Sequence, residues 1–513
     1  MTSILNFKDI IDTPKWRFAT RPVISVGNGT EFASDLRNNE DRNPFVYWIR
    51  STNSFWRYNP IRDQWFTLLN PNLGSGPSGC GIASKGPSGT IAAGATASSI
   101  PLTTALPAAV GINQLANRGD NIGFKVRIIG NAAGSSGKTE ERIITGNTGG
   151  TTPTLTFDNA LSFVPILGDA YEFFSGRMFM LGANNAAGSW KYYDILTESM
   201  SGNLATANLP AAITDSDIIP LSEQFVPYDR KPGDGFFGNL IATATGATSI
   251  TGQASGGDAG VLADMHRNFQ IRIVKDTAIP TAVGQRRNIT THTAGPSPVY
   301  TVPAWSVQPS ATATYVIENN DDYILAFIAG QTNTFTYSVS GNAWSTATFG
   351  ARAVAPSAGQ MGAQSFSIEP DPGFNARHSF IYSFRSSGAA TLDVLDIAGA
   401  ATGTWSSDIV YGNKGTVAFG SGSCSIQDSA TKEGRYMHLN LNSITTFYRF
   451  DMKNRVLESG SEIRGVLTSL NAAGNKLIAH TTFVDGTSKL TFLYFIGSPD
   501  ATNWQFFTHP VTS

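Results

Sequence analysis

One spacing recurs along this chain: an aromatic side chain, a short turn, and a large apolar residue seven positions on. It runs from Tyr58 to Trp65, Tyr193 to Met200, Tyr337 to Trp344 and Phe450 to Leu457. Asp194 and Asp451 directly follow the aromatic, where a turn-initiating residue belongs. Two further segments carry a longer turn before Trp405 and Trp504, which makes six copies. A repeat of this kind constrains the fold strongly, because each unit buries its apolar face only against its neighbours.

Each copy is preceded by a short run of small and apolar residues: 31–36, 79–84, 236–241, 364–369, 423–428 and 465–470. Four strands per unit and six units predict an all-β fold, a six-bladed β-propeller. A β-sandwich, or a series of them, is the competing arrangement. The small first strand suits a position near a central channel, where sheets converge. Composition agrees with many short strands. Charged residues make up 14% of the chain, against about 25% in an ordinary globular protein, too few to solvate long helices.

The predicted first strands begin at 31, 79, 236, 364, 423 and 465, so two of the gaps are long by most of a small domain. Both excesses fall between the first and second strands of their units, and they resemble each other. Residues 124–129 (FKVRII) match 269–274 (FQIRIV) at an offset of 145, and Glu141-Arg142-Ile143-Ile144 falls on Arg286-Arg287-Asn288-Ile289. Leu155 is matched to Val299, and Tyr171 to Tyr315, at an offset of 144. Both stretches alternate apolar and polar residues with period two, as hairpin sheets do. The expected plan is an arm (1–28), blade one with the start of blade two (29–89) and a first β-module (90–175). The rest of blade two with the start of blade three (176–241), a second, homologous module (242–319) and blades three to six (320–513) follow. The arm carries Trp16 and Phe18 beside Lys15, Arg17 and Arg21 without a repeat partner, and is expected either to serve assembly or to plug its own propeller.

A net charge of −2 gives no global attraction to nucleic acid or anionic membrane. No apolar run approaches the roughly 18 residues of a spanning helix. Lys8, Asp9 and Asp12 stand where a secretion signal would need apolar residues, so synthesis and folding in a cytoplasm are expected. Cys80 and Cys424, on first strands of opposite blades, read as free thiols.

The first module combines Lys125–Ile129, the Gly-rich turn 133–137, a strand ending in Thr145-Gly146-Asn147-Thr148, residues 155–157 and Gly168-Asp169-Ala170-Tyr171. It resembles a motif widespread in virion proteins of tailed bacteriophages; the second copy lacks the Gly-Asp pair, with Ala313-Thr314-Tyr315 in its place. The aromatic-turn-Trp step is kelch-like, without the Gly-Gly pair usual in kelch repeats. A propeller with inserted β-modules resembles tail nozzle or hub proteins of short-tailed phages. That resemblance implies a virion structural protein, a homo-oligomeric ring around the DNA exit path that docks adaptor, portal-proximal or fibre proteins. Competing functions are a glycan-binding fibre, spike or capsid-decoration protein, and a polysaccharide-degrading propeller with a carboxylate pair about 5–10 Å apart.

No catalytic, cofactor-binding or metal-binding residue is assigned, and no enzymatic activity is expected. The stretch 133–139 (AGSSGKT) imitates a phosphate loop, but Ala132 stands where the first Gly is required and a strand-like run follows. Arg118-Gly119-Asp120 reads as a loop tripeptide, and 498–504 as a turn one residue short of a sialidase box. The six histidines (266, 292, 378, 438, 480 and 509) show no metal-ligand spacing within one element; His438 and His480 hold similar places in adjacent units.

Overall fold

The computed structural model describes the chain from Arg17 to Val511 outside residues 19–30, 35–44, 50–53, 118–122, 131–138, 222–239, 255–260, 359–362, 369–377, 386–390, 417–423, 428–435, 441–446, 459–475, 484–488 and 498–504 and a few stretches of one to three residues. Among the described residues the fold is all-β, with no α-helix and only short 3-10 turns such as Gln114–Ala116. The recurring spacing has a plain physical origin. Tyr58 lies directly across from Trp65, Tyr193 from Met200, Tyr337 from Trp344 and Phe450 from Leu457 in antiparallel pairs. A seven-residue step is therefore one cross-strand pair around a tight turn. The residue after each aromatic holds that turn. Side-chain oxygens of Asn59, Asp194, Ser338 and Asp451 accept the N–H of Arg62, Thr197, Gly341 and Asn454. Five positions after each aromatic, Asp63, Glu198, Asn342 and Arg455 take the left-handed conformation that closes the turn.

Six sheets follow one another along the chain. The first joins Glu31–Ser34, Val46–Ile49, Phe55–Asn59 and Gln64–Thr67; the second joins Pro77–Ile82, Arg177–Gly182, Trp190–Asp194 and Ser199–Met200. Ser216–Pro220, Tyr323–Ile328, Phe335–Ser338 and Ala343–Ser345 form the third, and Ala363–Ile368, His378–Phe384, Thr391–Asp396 and Thr404–Ile409 the fourth. The fifth runs Cys424–Gln427, Tyr436–Asn440, Phe447–Asp451 and Val456–Glu458, extended by Tyr411–Gly412 and Gly415–Thr416. Lys476–Phe483, Lys489–Gly497 and Gln505–Val511 make the sixth, and Arg17–Phe18 completes it. The leading strands touch in sequence, and that of the sixth sheet touches that of the first, which closes the cycle.

Alternation along each strand divides its side chains between two neighbours. Met178 and Met180 of the second sheet share a core with Tyr47 and Phe55 of the first. Phe179 and Leu181 point the other way, into a core with Ile324, Ala326 and Ile328 of the third, where Trp190 is fully buried 4.9 Å from Trp344. Leu325 and Phe327 pack with Ile381 and Leu395 of the fourth, whose Tyr382 and Phe384 meet Met437 and Phe450 of the fifth. One ion pair is buried with them. Arg352 donates to Asp393 through Nε and Nη2 at 3.0 and 2.6 Å and to Ser383 Oγ at 2.8 Å, both charged side chains at most 2% exposed.

Three strand assignments differ from the sequence reading. The leading strand of the third sheet is Ser216–Pro220, not 236–241; Leu240–Ile241 pairs with Thr314–Tyr315 inside the second module. In the sixth sheet, Lys476–Phe483 takes the leading place, and the expected strand 465–470 lies outside the described residues. The arm also enters a sheet, with Arg17 opposite Thr508 and Phe18 opposite Phe507. A two-residue strand whose partner is almost the whole chain away leaves no local pattern to read.

Candidate interaction surface: two homologous modules

The chain leaves the second and third sheets at the same point, between first and second strands, to build each module. The first orders its strands as Ser88–Thr90, Ala170–Phe173, Lys125–Ile129, Thr139–Asn147, Thr154–Phe157 and Ser99–Pro101. In the second, Leu240–Ile241, Thr314–Glu318, Gln270–Lys275 and Arg286–Asn288 form one sheet. Thr291–His292, Val299–Thr301, Ser249–Thr251 and Ala244–Gly246 form another. The order is the same, with the long strand Thr139–Asn147 divided in two in the second copy. Leu155 faces Ile100 as Tyr300 faces Ile250, so Leu155 corresponds to Tyr300 and not to Val299. The one-residue difference falls later. Arg142 and Arg287 donate alike to the carbonyls of Asn159 and Ala304, whereas Ser162 and Ser306 give their N–H to Glu140 and Gln285. The offset thus changes from 145 to 144 between those points.

The motif residues are the polar nodes that hold each module together. Asn113 and Asp264 both sit in the left-handed region, at φ 58° and 59°, and accept the backbone N–H of Asn147 and His292. Asn147 Oδ1 accepts the Leu115 N–H at 2.8 Å, and His292 Nε2 accepts the His266 N–H at the same distance. Asn147 Nδ2 donates to the Thr148 carbonyl at 2.7 Å, and His292 Nδ1 meets that of Thr293 at 2.9 Å. An imidazole thus performs both jobs of an amide. The lost Gly-Asp pair is compensated as well. In the first module Asp169 Oδ2 accepts the Ile166 N–H; in the second, Asp276 reaches over to accept that of Ser310.

The two modules touch through a charged junction. Glu141 pairs with Lys125 and Arg127 of its own sheet at 2.8 and 2.9 Å. Burial pushes its carboxyl upward, but Arg127 and Lys125 outweigh burial and hold it below the ordinary carboxylate value. At the corresponding place the second module carries Arg286, which reaches across to both oxygens of Glu172, 4% exposed in the first module. Beside this pair, Ile129 of the first module belongs to the apolar core of the second, together with Ala398 of the fourth sheet. Reversing the charge with Arg286→Glu is expected to cost about 3–5 kcal/mol in urea unfolding, because the buried Glu172 then faces a like charge in place of its ion-pair partner. The swap Glu172→Arg/Arg286→Glu should recover part of that loss.

Of the residues weighed in the sequence, Arg118–Asp120, the turn 133–138 and 498–504, Trp504 included, lie outside the described residues. Cys80 and Cys424 stand on the leading strands of the second and fifth sheets, and His438 and His480 on second-place and leading strands of the fifth and sixth. Among the described residues no group of three or more His, Cys, Asp or Glu side chains could hold a metal ion, and no helix is long and apolar enough to cross a membrane. The pair that does come together is His266 and His292, with rings stacked 5.4 Å apart. The signal for it was the alignment of His292 with Asn147 at offset 145.

No protein-family model matches the chain, and no curated protein matches it. Among solved structures it is similar to Raptor of Chaetomium thermophilum, at 9% identity and a TM-score of 0.28, over 99% of this chain and 30% of that one. It is also similar to the endosialidase of phage phi92, at 10% identity and a TM-score of 0.23, over 94% and 58%. The chain thus spans less than two thirds of either structure, and likenesses this faint carry no argument about fold or function.

Proposed function

We propose that the chain is a non-enzymatic structural protein of a tailed-phage virion, a six-bladed β-propeller that assembles as a homo-oligomeric ring in the tail. In this reading it is nozzle- or hub-like, surrounds the DNA exit path, and docks adaptor, portal-proximal or fibre proteins through its modules. It is assembled in the host cytoplasm. The observation that carries the reading is the pair of homologous modules, inserted at equivalent points of adjacent sheets and packed against each other. Two copies of one binding shape, held in fixed relation, suit a scaffold that must contact more than one neighbour. The propeller itself is supported by six sheets with leading strands in a closed cycle and side chains shared between successive sheets. A net charge of −2 suits passive contact with DNA in transit better than tight binding.

Electron microscopy tests both parts. Averages of the purified chain should show six spokes, and gold directed to this chain on intact particles should mark the tail end as a ring. Label on the capsid surface or along fibres would replace the tail reading with that of a decoration or glycan-binding protein.

A further inference from the structure

The exchange of Asn147 for His292 puts a titratable ring at a node where the first module has an amide. We propose that His292 is an acid-released latch that seats the second module on the fourth sheet, a pH dependence the first module does not share. His292 is 3% exposed, and both its ring nitrogens are engaged. Since Nε2 accepts the His266 N–H, the proton sits on Nδ1 and is donated to the Thr293 carbonyl. A second proton on Nε2 would set one N–H against another. The oxygen of Asn147 stays an acceptor throughout the same pH range, which makes the first module an internal control.

The groups that face the ring do little to welcome a charge. The His266 ring lies 5.4 Å away, Tyr300 lies 4.9 Å away across the strand, and Phe269 packs on His266. Asp264 is the nearby anion, but its carboxylate already accepts the Thr291 hydroxyl and the His292 N–H and is paired with Arg267. Arg267 itself opposes an imidazolium. Burial lowers the His292 pKa from its ordinary value, with Arg267 adding to it, against the pull of Thr293 and Asp264. The sign follows: the contribution to stability is complete above about 6.5, declines as pH falls below it, and is gone below the folded value.

The segment released is one that ties the module to the fourth sheet. His292 holds residues 264–268, and at the far end of that loop Asn268 Nδ2 donates to the Ile397 carbonyl at 2.8 Å. The carbonyls of Ala400 and Ala401, in the same hairpin of the fourth sheet, lie 3.4 Å from it. Loss of the acceptor for the His266 N–H therefore loosens the anchor itself.

Hydrogen exchange on the full chain at about pH 7.5 and about pH 5 tests this, with rates corrected for intrinsic exchange. Protection at 266–269 and 397–402 is expected to fall ~tenfold in acid, with 113–117 unchanged. His292→Asn, which copies the first module, should abolish the acid loss, and His266→Phe, which spares His292, should keep it. Acid loss that survives His292→Asn, vanishes in His266→Phe, or strikes both modules equally would overturn the proposal. Nitrogen-15 NMR of the unaltered chain covers a variant that does not fold. His292 should show the Nδ1–H tautomer and titrate below about 6.5; titration at or above that value overturns the latch.

Discussion

Asp393→Ala is expected to lower the unfolding free energy by about 3–5 kcal/mol, read as a drop in the urea midpoint at unchanged slope. The Arg352 side chain is 1% exposed, and Asp393 takes both its Nε and its Nη2. The same carboxylate accepts Arg385 Nε and the Ser407 hydroxyl, so its removal leaves one buried cation and several donors without their acceptor. The Arg352 guanidinium also lies 5.4 Å over Trp405, and cation–π attraction is too weak to replace a buried carboxylate. Replacing both charges, as Arg352→Met/Asp393→Leu, should cost less than Asp393→Ala alone, because the uncompensated charge goes too. A double variant worse than the single one would show that the network's hydrogen bonds matter more than its charge balance.

The second large effect is expected from removing residues 1–20. An arm that served assembly alone would leave folding and melting unchanged by its loss. The pairing of Arg17 and Phe18 with Thr508 and Phe507 predicts instead a thermal midpoint lower by ~5 °C. It also predicts aggregation, because the strand Gln505–Val511 becomes an open sheet edge. Light scattering and scanning calorimetry on the truncated chain check both. Unchanged melting with lost incorporation into particles would restore the assembly role.

Much of the fold was legible because its signals are local. The aromatic step is a cross-strand pair, and its turn needs only an acceptor such as Asp194 one residue on, so both lie within eight positions. The matching strands Lys125–Ile129 and Gln270–Lys275 were legible through their offset, which survives wherever two strands keep register. What failed depended on distant partners. Ser216–Pro220 is no more strand-like than 236–241, and only its pairing with Tyr323–Ile328 decides its place. Asp264 corresponds to Asn113 at a different offset from that of the later strands, so the node joining it to His292 was hidden. The composition of each node also changes between copies while its geometry stays, and the sequence shows composition first.

The N-terminal strand has a consequence for how the protein is made. Its partner strand, Gln505–Val511, emerges from the ribosome after every other described strand, so the cycle of sheets stays open during synthesis. Sheets two to four and both modules bring their own neighbours and can settle in order as they appear. The last step is then the pairing of Arg17–Phe18 with Gln505–Val511, among the described strand pairs the one of greatest sequence separation and so of highest loop entropy. Until it happens, two sheet edges that later meet are both exposed. A cell producing many copies at once would face its greatest risk of pairing the end of one chain with the start of another at that moment, a swap that uses the same hydrogen bonds as correct closure.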